Sequence, residues 1–247
     1  MSMLIRENGL LFHHIPRTGG TTVKQVYRHL GIGYVLAARK HTPIGRYRRK
    51  HLDRIRRIYT IVRNPWDYYA STWKWLQRTG IRGRLWVQNE LWHPHRTAAG
   101  LWCDRFETWV NRVVNSYPGY LSSMYTQYCG IEGDEFCWYI ARTRTLNTDI
   151  ALLLRAIGLP LNGFNPPKAN AIPCDVPWTP RLRETIADAE QDCIRRFFTG
   201  ENTHRRFYCP LEDVHEVIYE QRRQLRKTRC NDGLRRGGAG VEPAADD

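Results

Sequence analysis

The segment Leu10-Leu11-Phe12-His13-His14-Ile15-Pro16-Arg17-Thr18-Gly19-Gly20-Thr21-Thr22 passes from an apolar run through paired glycines into hydroxyl-bearing residues. Leu10–Ile15 is compatible with a buried strand. Gly19-Gly20 permits a tight backbone turn, and Thr21–Leu30 reads as a helix stopped at Gly31. A strand feeding a helix through such a turn leaves unpaired N–H groups and partial positive charge facing one point, where an anion is favoured. Gly19 and Gly20 lack the β-carbons that would hold a phosphate away, Thr21 and Thr22 add hydroxyl donors, and Arg17 adds a fixed cation. No lysine follows the glycines, so this is not a Walker A loop, and the spacing is not G-x-G-x-x-G either.

A second segment answers the first: Ile58-Tyr59-Thr60-Ile61-Val62-Arg63-Asn64-Pro65-Trp66, with Ser71 eight residues beyond the arginine. Its β-branched content marks a strand. Pro65 suits the first turn of a helix running to about Arg78, with Gly80 as its stop. An arginine at a strand's end can contact a phosphate bidentately, and a serine in the next helix's second turn can face the same point. Together the two segments read as a grip on a nucleotide at two separate phosphates.

The rest of the chain continues the alternation. Ile32–Ala37 reads as a strand and the very basic Arg39–Arg57 as loop plus short helix, either a solvated face or an entrance for an anionic acceptor. Asp104-x-x-Glu107 resembles a capping box opening a helix over Asp104–Ser116. Phe136–Ile140 is a late strand, and Asp149 is placed to cap a helix over Ile150–Ile157. The Pro- and Asn-rich Asn162–Pro180 reads as an excursion. Thr179-Pro180 then opens a helix to Phe198 ended by Gly200, and Leu211–Lys227 is a last amphipathic helix. The expected architecture is a single α/β domain over residues 1–228, with a central, mainly parallel β-sheet flanked by helices. A mobile tail over 229–247 is expected to follow.

At 247 residues the chain can bury a full core, and its 42% hydrophobic content argues against global disorder. Lys+Arg 38 against Asp+Glu 24 gives a net charge of +14, which attracts polyanions without choosing among them. Seven cysteines without a C-x-x-C pair read as dispersed reduced thiols, and no structural zinc is expected. With no leader pattern and no run of about 18 apolar residues, the expectation is a cytoplasmic protein without a membrane span.

"HHIPRTGGTT" followed by "YTIVRNPWDYYAS" resembles the paired nucleotide-binding signatures of the sulfotransferases, particularly the carbohydrate-type group with P-K-T-G-G-T-[ST]. The likeness extends more weakly through Arg142, Leu146 and Asp149 to Lys168-Ala169-Asn170. It implies a P-loop-like sulfotransferase fold, with 3′-phosphoadenosine 5′-phosphosulfate (PAPS) as sulfate donor and no metal. The implied acceptor is a hydroxyl on a carbohydrate, an anionic glycan included. By the same resemblance Arg17, Thr18, Gly19, Gly20, Thr21 and Thr22 hold the 5′-phosphosulfate end, while Arg63 and Ser71 hold the 3′-phosphate. Lys168 and Asn170 would help close the pocket.

Arg17 stands where the family usually has a lysine that stabilises the bridging oxygen as sulfate leaves. Arginine keeps charge and donors but places them in a wider fork. Arg144 stands where many relatives are acidic. The acceptor hydroxyl needs a base, and histidine suits neutrality. His41, in Lys40-His41-Thr42-Pro43 between the signatures, ranks first, followed by His51 and His14. The expected catalytic pair is thus Arg17 and His41. Two other readings stay open: a nucleotide-binding relative that lost catalysis through the Arg17 exchange, and a basic nucleic-acid-binding protein. No helix-turn-helix, zinc-finger or aromatic RNA-binding pattern supports the latter, so no nucleic-acid partner is expected.

Overall fold

Side chains leave the strands alternately toward two cores, as the two-residue period of a strand requires. The structure, a computed structural model, describes residues 2–37, 41–44, 47, 52–90, 93–130, 137–159, 161 and 175–199. Strands β1 (Met3–Ile5), β2 (Leu10–Phe12), β3 (Val35–Leu36), β4 (Arg57–Val62) and β5 (Tyr139–Arg142) form one sheet in the order β3-β1-β2-β4-β5. β2, β4 and β5 pair in parallel, while β1 is antiparallel to both β2 and β3. The expected mainly parallel arrangement therefore holds at the centre of the sheet, and β1 makes the whole a mixed sheet.

The helices are α1 (Gly20–His29), α2 (Pro65–Asn89), α3 (Arg96–Gly100), α4 (Phe106–Ser116), α5 (Tyr120–Cys129), α6 (Leu146–Ala156), α7 (Pro180–Ala189) and α8 (Gln191–Phe197). On one face Leu10, Phe12, Tyr59, Ile61, Tyr139 and Ala141 meet Val23, Val26 and Tyr27 of α1 and Ile150 and Leu153 of α6. On the other, Leu11, Ile58, Val62 and Ile140 meet Tyr68, Tyr69 and Trp73 of α2, with Trp109, Tyr125 and Ile186 from the later helices. The result is a sheet covered by helices on both faces. Among the described residues no helix is long and apolar enough to cross a membrane.

Several boundaries differ from expectation for identifiable reasons. α2 does not stop at Gly80: that residue takes φ 68° and ψ −177°, a kink, and the helix resumes to Asn89. The capping box at Asp104 does not form, since α4 begins at Phe106 without a side-chain cap. Asp149 does not cap either. It is buried inside the first turn of α6 and accepts hydrogen bonds from Tyr139 Oη, the Arg142 N–H and Thr145 Oγ1, which ties β5 to α6.

The helix expected up to Phe198 is two helices, α7 and α8, broken at Glu190. That carboxylate turns inward and accepts from the Leu121 and Ser122 N–H groups, Ser122 Oγ and Tyr69 Oη. It thereby satisfies the uncapped start of α5, a favourable place for negative charge. Thr179 does cap α7, its Oγ1 accepting from the Leu182 N–H at 3.1 Å. The expected helix Leu211–Lys227, the tail over 229–247, His51, Lys168, Asn170 and part of Arg39–Arg57 lie outside the described residues.

Candidate functional site

β2 and β4 are neighbours, yet the helices that follow them depart to opposite faces of the sheet. Such a divergence opens a crevice beyond the carboxyl ends of the strands, the usual ligand site of open α/β sheets. Arg17 and Arg63 meet there. Arg63 Nη1 donates to the Arg17 carbonyl oxygen at 3.2 Å. Arg17 in turn donates from Nη2 and Nε to Ser71 Oγ at 2.9 and 3.3 Å. The residues expected at two separate phosphates thus form one contiguous cluster.

Tyr125 of α5 fixes the strand end that carries Arg63. Its hydroxyl receives the Arg63 N–H and donates to the Arg63 carbonyl, each at 2.7 Å. Asn64 caps α2 by accepting from the Asp67 N–H at 2.8 Å, which sets the helix that presents Ser71. Arg63 Nε is buried and has no hydrogen-bond partner among the described residues.

In the loop itself Gly19 takes φ 104°, a left-handed conformation, and starts α1 with no side-chain cap. The first-turn N–H groups of α1 and the orphaned Arg63 Nε are donors that suit an anion. Besides the turn that Gly19 makes, neighbouring side chains crowd both glycines. A β-carbon at Gly19 would come within 2.8 Å of Leu146 Cδ2, and one at Gly20 within 2.2 Å of His14 Nε2. Protein neighbours exclude the side chains, one of them the Leu146 of the weaker sequence match. Thr18 is fully buried and its Oγ1 donates to the Ile15 carbonyl at 2.9 Å, so its hydrogen shapes the turn. Thr21 is exposed and Thr22 buried on the first turn of α1.

Among the described residues, the non-glycine positions with positive φ are Arg17 (64°) and His41 (60°). Backbone held in a sparsely populated region stores strain, and such strain concentrates at functional sites. His41 is buried, and its carbonyl accepts from Tyr128 Oη at 2.6 Å. Its ring lies 4.8 Å from that of His14, the same ring that packs on Gly20.

The row of rings continues into residues that sequence reasoning did not single out. His41 is 6.0 Å from His93, and His93 is 5.6 Å from His95. Trp75 of α2 stacks on His93 at 6.0 Å, lies 5.3 Å from His95, and has the Arg17 guanidinium 5.9 Å from its ring centre. The signal for these residues is the pair in His93-Pro94-His95, which acquires a place only once α2 is seen to continue past Gly80. Burial, then His93 and the Arg17 charge, hold the His95 pKa well below the ordinary histidine value. Arg142, at the end of β5, donates from Nη2 to the Phe197 carbonyl and lies over Phe198. Arg144 is exposed, and nothing in the structure assigns it a role.

Comparison of the chain with protein-family models, with curated proteins and with solved structures finds no match.

Proposed function

We propose that the chain is a sulfotransferase of P-loop-like fold that moves a sulfuryl group from PAPS to an acceptor hydroxyl on a carbohydrate. The observation that supports it is the meeting of Arg17, Arg63 and Ser71 at the carboxyl ends of adjacent parallel strands, beside the uncapped start of α1. Donors from both segments converge there, as a doubly phosphorylated nucleotide requires. The resemblance of both segments to the sulfotransferase signatures narrows that anion to PAPS.

In this reading the amides around Gly20 and the Arg17 guanidinium hold the 5′-phosphosulfate end, and Arg63 and Ser71 hold the 3′-phosphate. Nucleotide entry exchanges the Arg17–Ser71 hydrogen bonds for bonds to the ligand. Transfer of a sulfuryl group resembles phosphoryl transfer in needing in-line placement and a cation beside the leaving oxygen. Arg17 supplies that cation. A histidine of the adjoining row takes the acceptor's proton, and His41 is the member that sequence alone favours. An anionic glycan as acceptor accords with the +14 charge.

The test is incubation with radiolabelled PAPS and a panel of glycans, phenols and tyrosine peptides. Labelled glycan is the expected product, and label on none of the acceptors or on water removes the activity. Arg17→Ala is expected to lower turnover far more than nucleotide affinity, because charge on the leaving oxygen grows in the transition state. An unchanged turnover number takes Arg17 out of the reaction. A second reading, a nucleotide-binding relative without catalysis, is favoured by arginine at position 17 and its engagement with Ser71. It gives tight binding of adenosine 3′,5′-bisphosphate and no transfer.

A further inference from the structure

His95 is 1% exposed and sits at the N-cap of α3, where its carbonyl accepts from the Ala99 N–H at 2.8 Å. Its Nδ1 lies 2.6 Å from the Tyr120 hydroxyl, and that hydroxyl lies 3.2 Å from the Pro94 carbonyl oxygen. A phenol has one hydrogen and a carbonyl oxygen can only accept. One assignment satisfies both contacts: Tyr120 donates to Pro94, and His95 Nδ1–H donates to the phenol oxygen. The neutral ring then carries its hydrogen on Nδ1 and a bare lone pair on Nε2.

That Nε2 is buried without a hydrogen-bond partner among the described residues. An orphaned acceptor at such depth is costly for a ring that serves packing alone. His93 differs: its Nδ1 accepts the His95 N–H at 3.1 Å, so its neutral form carries the hydrogen on Nε2 and offers a donor instead of a base. The groups around the His95 ring are Tyr68 and Trp75 of α2, Tyr120 of α5 and His93, with the Arg17 charge close enough to disfavour protonation. Trp75 is shared, with Arg17 against it and His95 against it.

We propose that His95 Nε2 is the base that receives the acceptor's proton, with Tyr120 as the positioning residue that keeps that nitrogen bare. This rests on the sulfotransferase reading. The acceptor's O–H proton passes to the Nε2 lone pair while the acceptor oxygen forms the new S–O bond. The bond from sulfur to the bridging oxygen breaks, and its electron pair stays on that oxygen beside Arg17. After product leaves, the imidazolium returns its proton to water.

The experiment uses the full chain, radiolabelled PAPS and water as acceptor, so that no glycan need be identified. His95→Asn keeps an N–H for Tyr120 but has no basic nitrogen. It is expected to lower sulfate release by roughly a hundredfold or more and to abolish the acidic limb of the pH–rate profile. Its affinity for adenosine 3′,5′-bisphosphate is expected to match the parent's. Tyr120→Phe is expected to shift the acidic limb while retaining more activity than His95→Asn.

Nitrogen-15 NMR of the parent is expected to show His95 neutral with its hydrogen on Nδ1, a readout independent of any variant's folding. A parental rate and profile in His95→Asn, or a hydrogen on Nε2 in the neutral ring, overturns the base assignment alone. A parent that neither binds the bisphosphate nor releases sulfate overturns the sulfotransferase reading, and the assignment falls with it.

Discussion

A methyl group at position 20 has no room, because the His14 ring occupies the space that its carbon would take, at 2.2 Å. Gly20→Ala is therefore expected to cost about 1–3 kcal/mol, the scale of an overpacked core site. The double variant with His14→Ala should recover most of the loss in a thermal melt. No recovery would mean that the strain lies elsewhere in the turn. Ser71 has a different test. It is buried and already accepts from Arg17, so its hydroxyl stands where a second anion would meet the cluster. Ser71→Ala should weaken adenosine 3′,5′-bisphosphate by roughly tenfold or more, one hydrogen bond to a charged group, and 5′-AMP far less. Equal losses by calorimetry would detach Ser71 from the 3′-phosphate. At this scale the sequence was informative about which residues could bind an anion, because glycine, arginine and hydroxyl chemistry is local. It was silent about why Gly20 is glycine, since the excluding atoms belong to a ring six residues earlier.

Among the elements, α5 does more for the site than its own sequence announces. Tyr125 bridges the N–H and C=O of Arg63 from across the core. Tyr125→Phe leaves both groups without that partner and is expected to cost about 1–3 kcal/mol. It should also weaken bisphosphate binding, because the strand end that aims Arg63 is no longer pinned. Parental affinity in calorimetry would show that the strand holds Arg63 unaided. Turn chemistry predicted the start of α2, where Pro65 takes the first turn, and cap chemistry predicted Thr179 on α7, while the Asn64 cap emerged only in the structure. It failed at Gly80 and at Asp149. In both cases a tertiary partner outbid the local preference: the helix beyond Gly80 packs Val87 into the core, and Asp149 turns back to β5.

For the molecule as a whole, acid sensitivity reports how tightly the sheet and helices close over polar groups. His13, at the end of β2, is fully buried between Tyr47 and Tyr128, and both ring nitrogens lack a hydrogen-bond partner among the described residues. Burial lowers its pKa from 6.5 to about 3. The unfolded chain therefore takes up a proton as pH falls below 6.5, while the folded protein resists until about 3. Stability linked to His13 is complete above that upper value and is lost progressively toward the lower one, by about 2 kcal/mol near pH 5. His95, also lowered by burial, adds to the same trend. His13→Phe should shrink the difference in Tm between neutral and mildly acidic buffer, and an unchanged difference would place the lost stability on other groups.

The sequence by itself determined the α/β alternation, the glycine turn after β2 and the arginine and serine after β4, because strand period, helix capping and residue chemistry act over a few positions. Only the tertiary structure decided that β2 and β4 are neighbours with helices on opposite faces, which brings Arg17, Arg63 and Ser71 into one cluster. It alone set Trp75 against Arg17 and packed His93 and His95 on that tryptophan. Contacts between residues far apart in the chain depend on which faces bury against each other, and no local pattern encodes that choice.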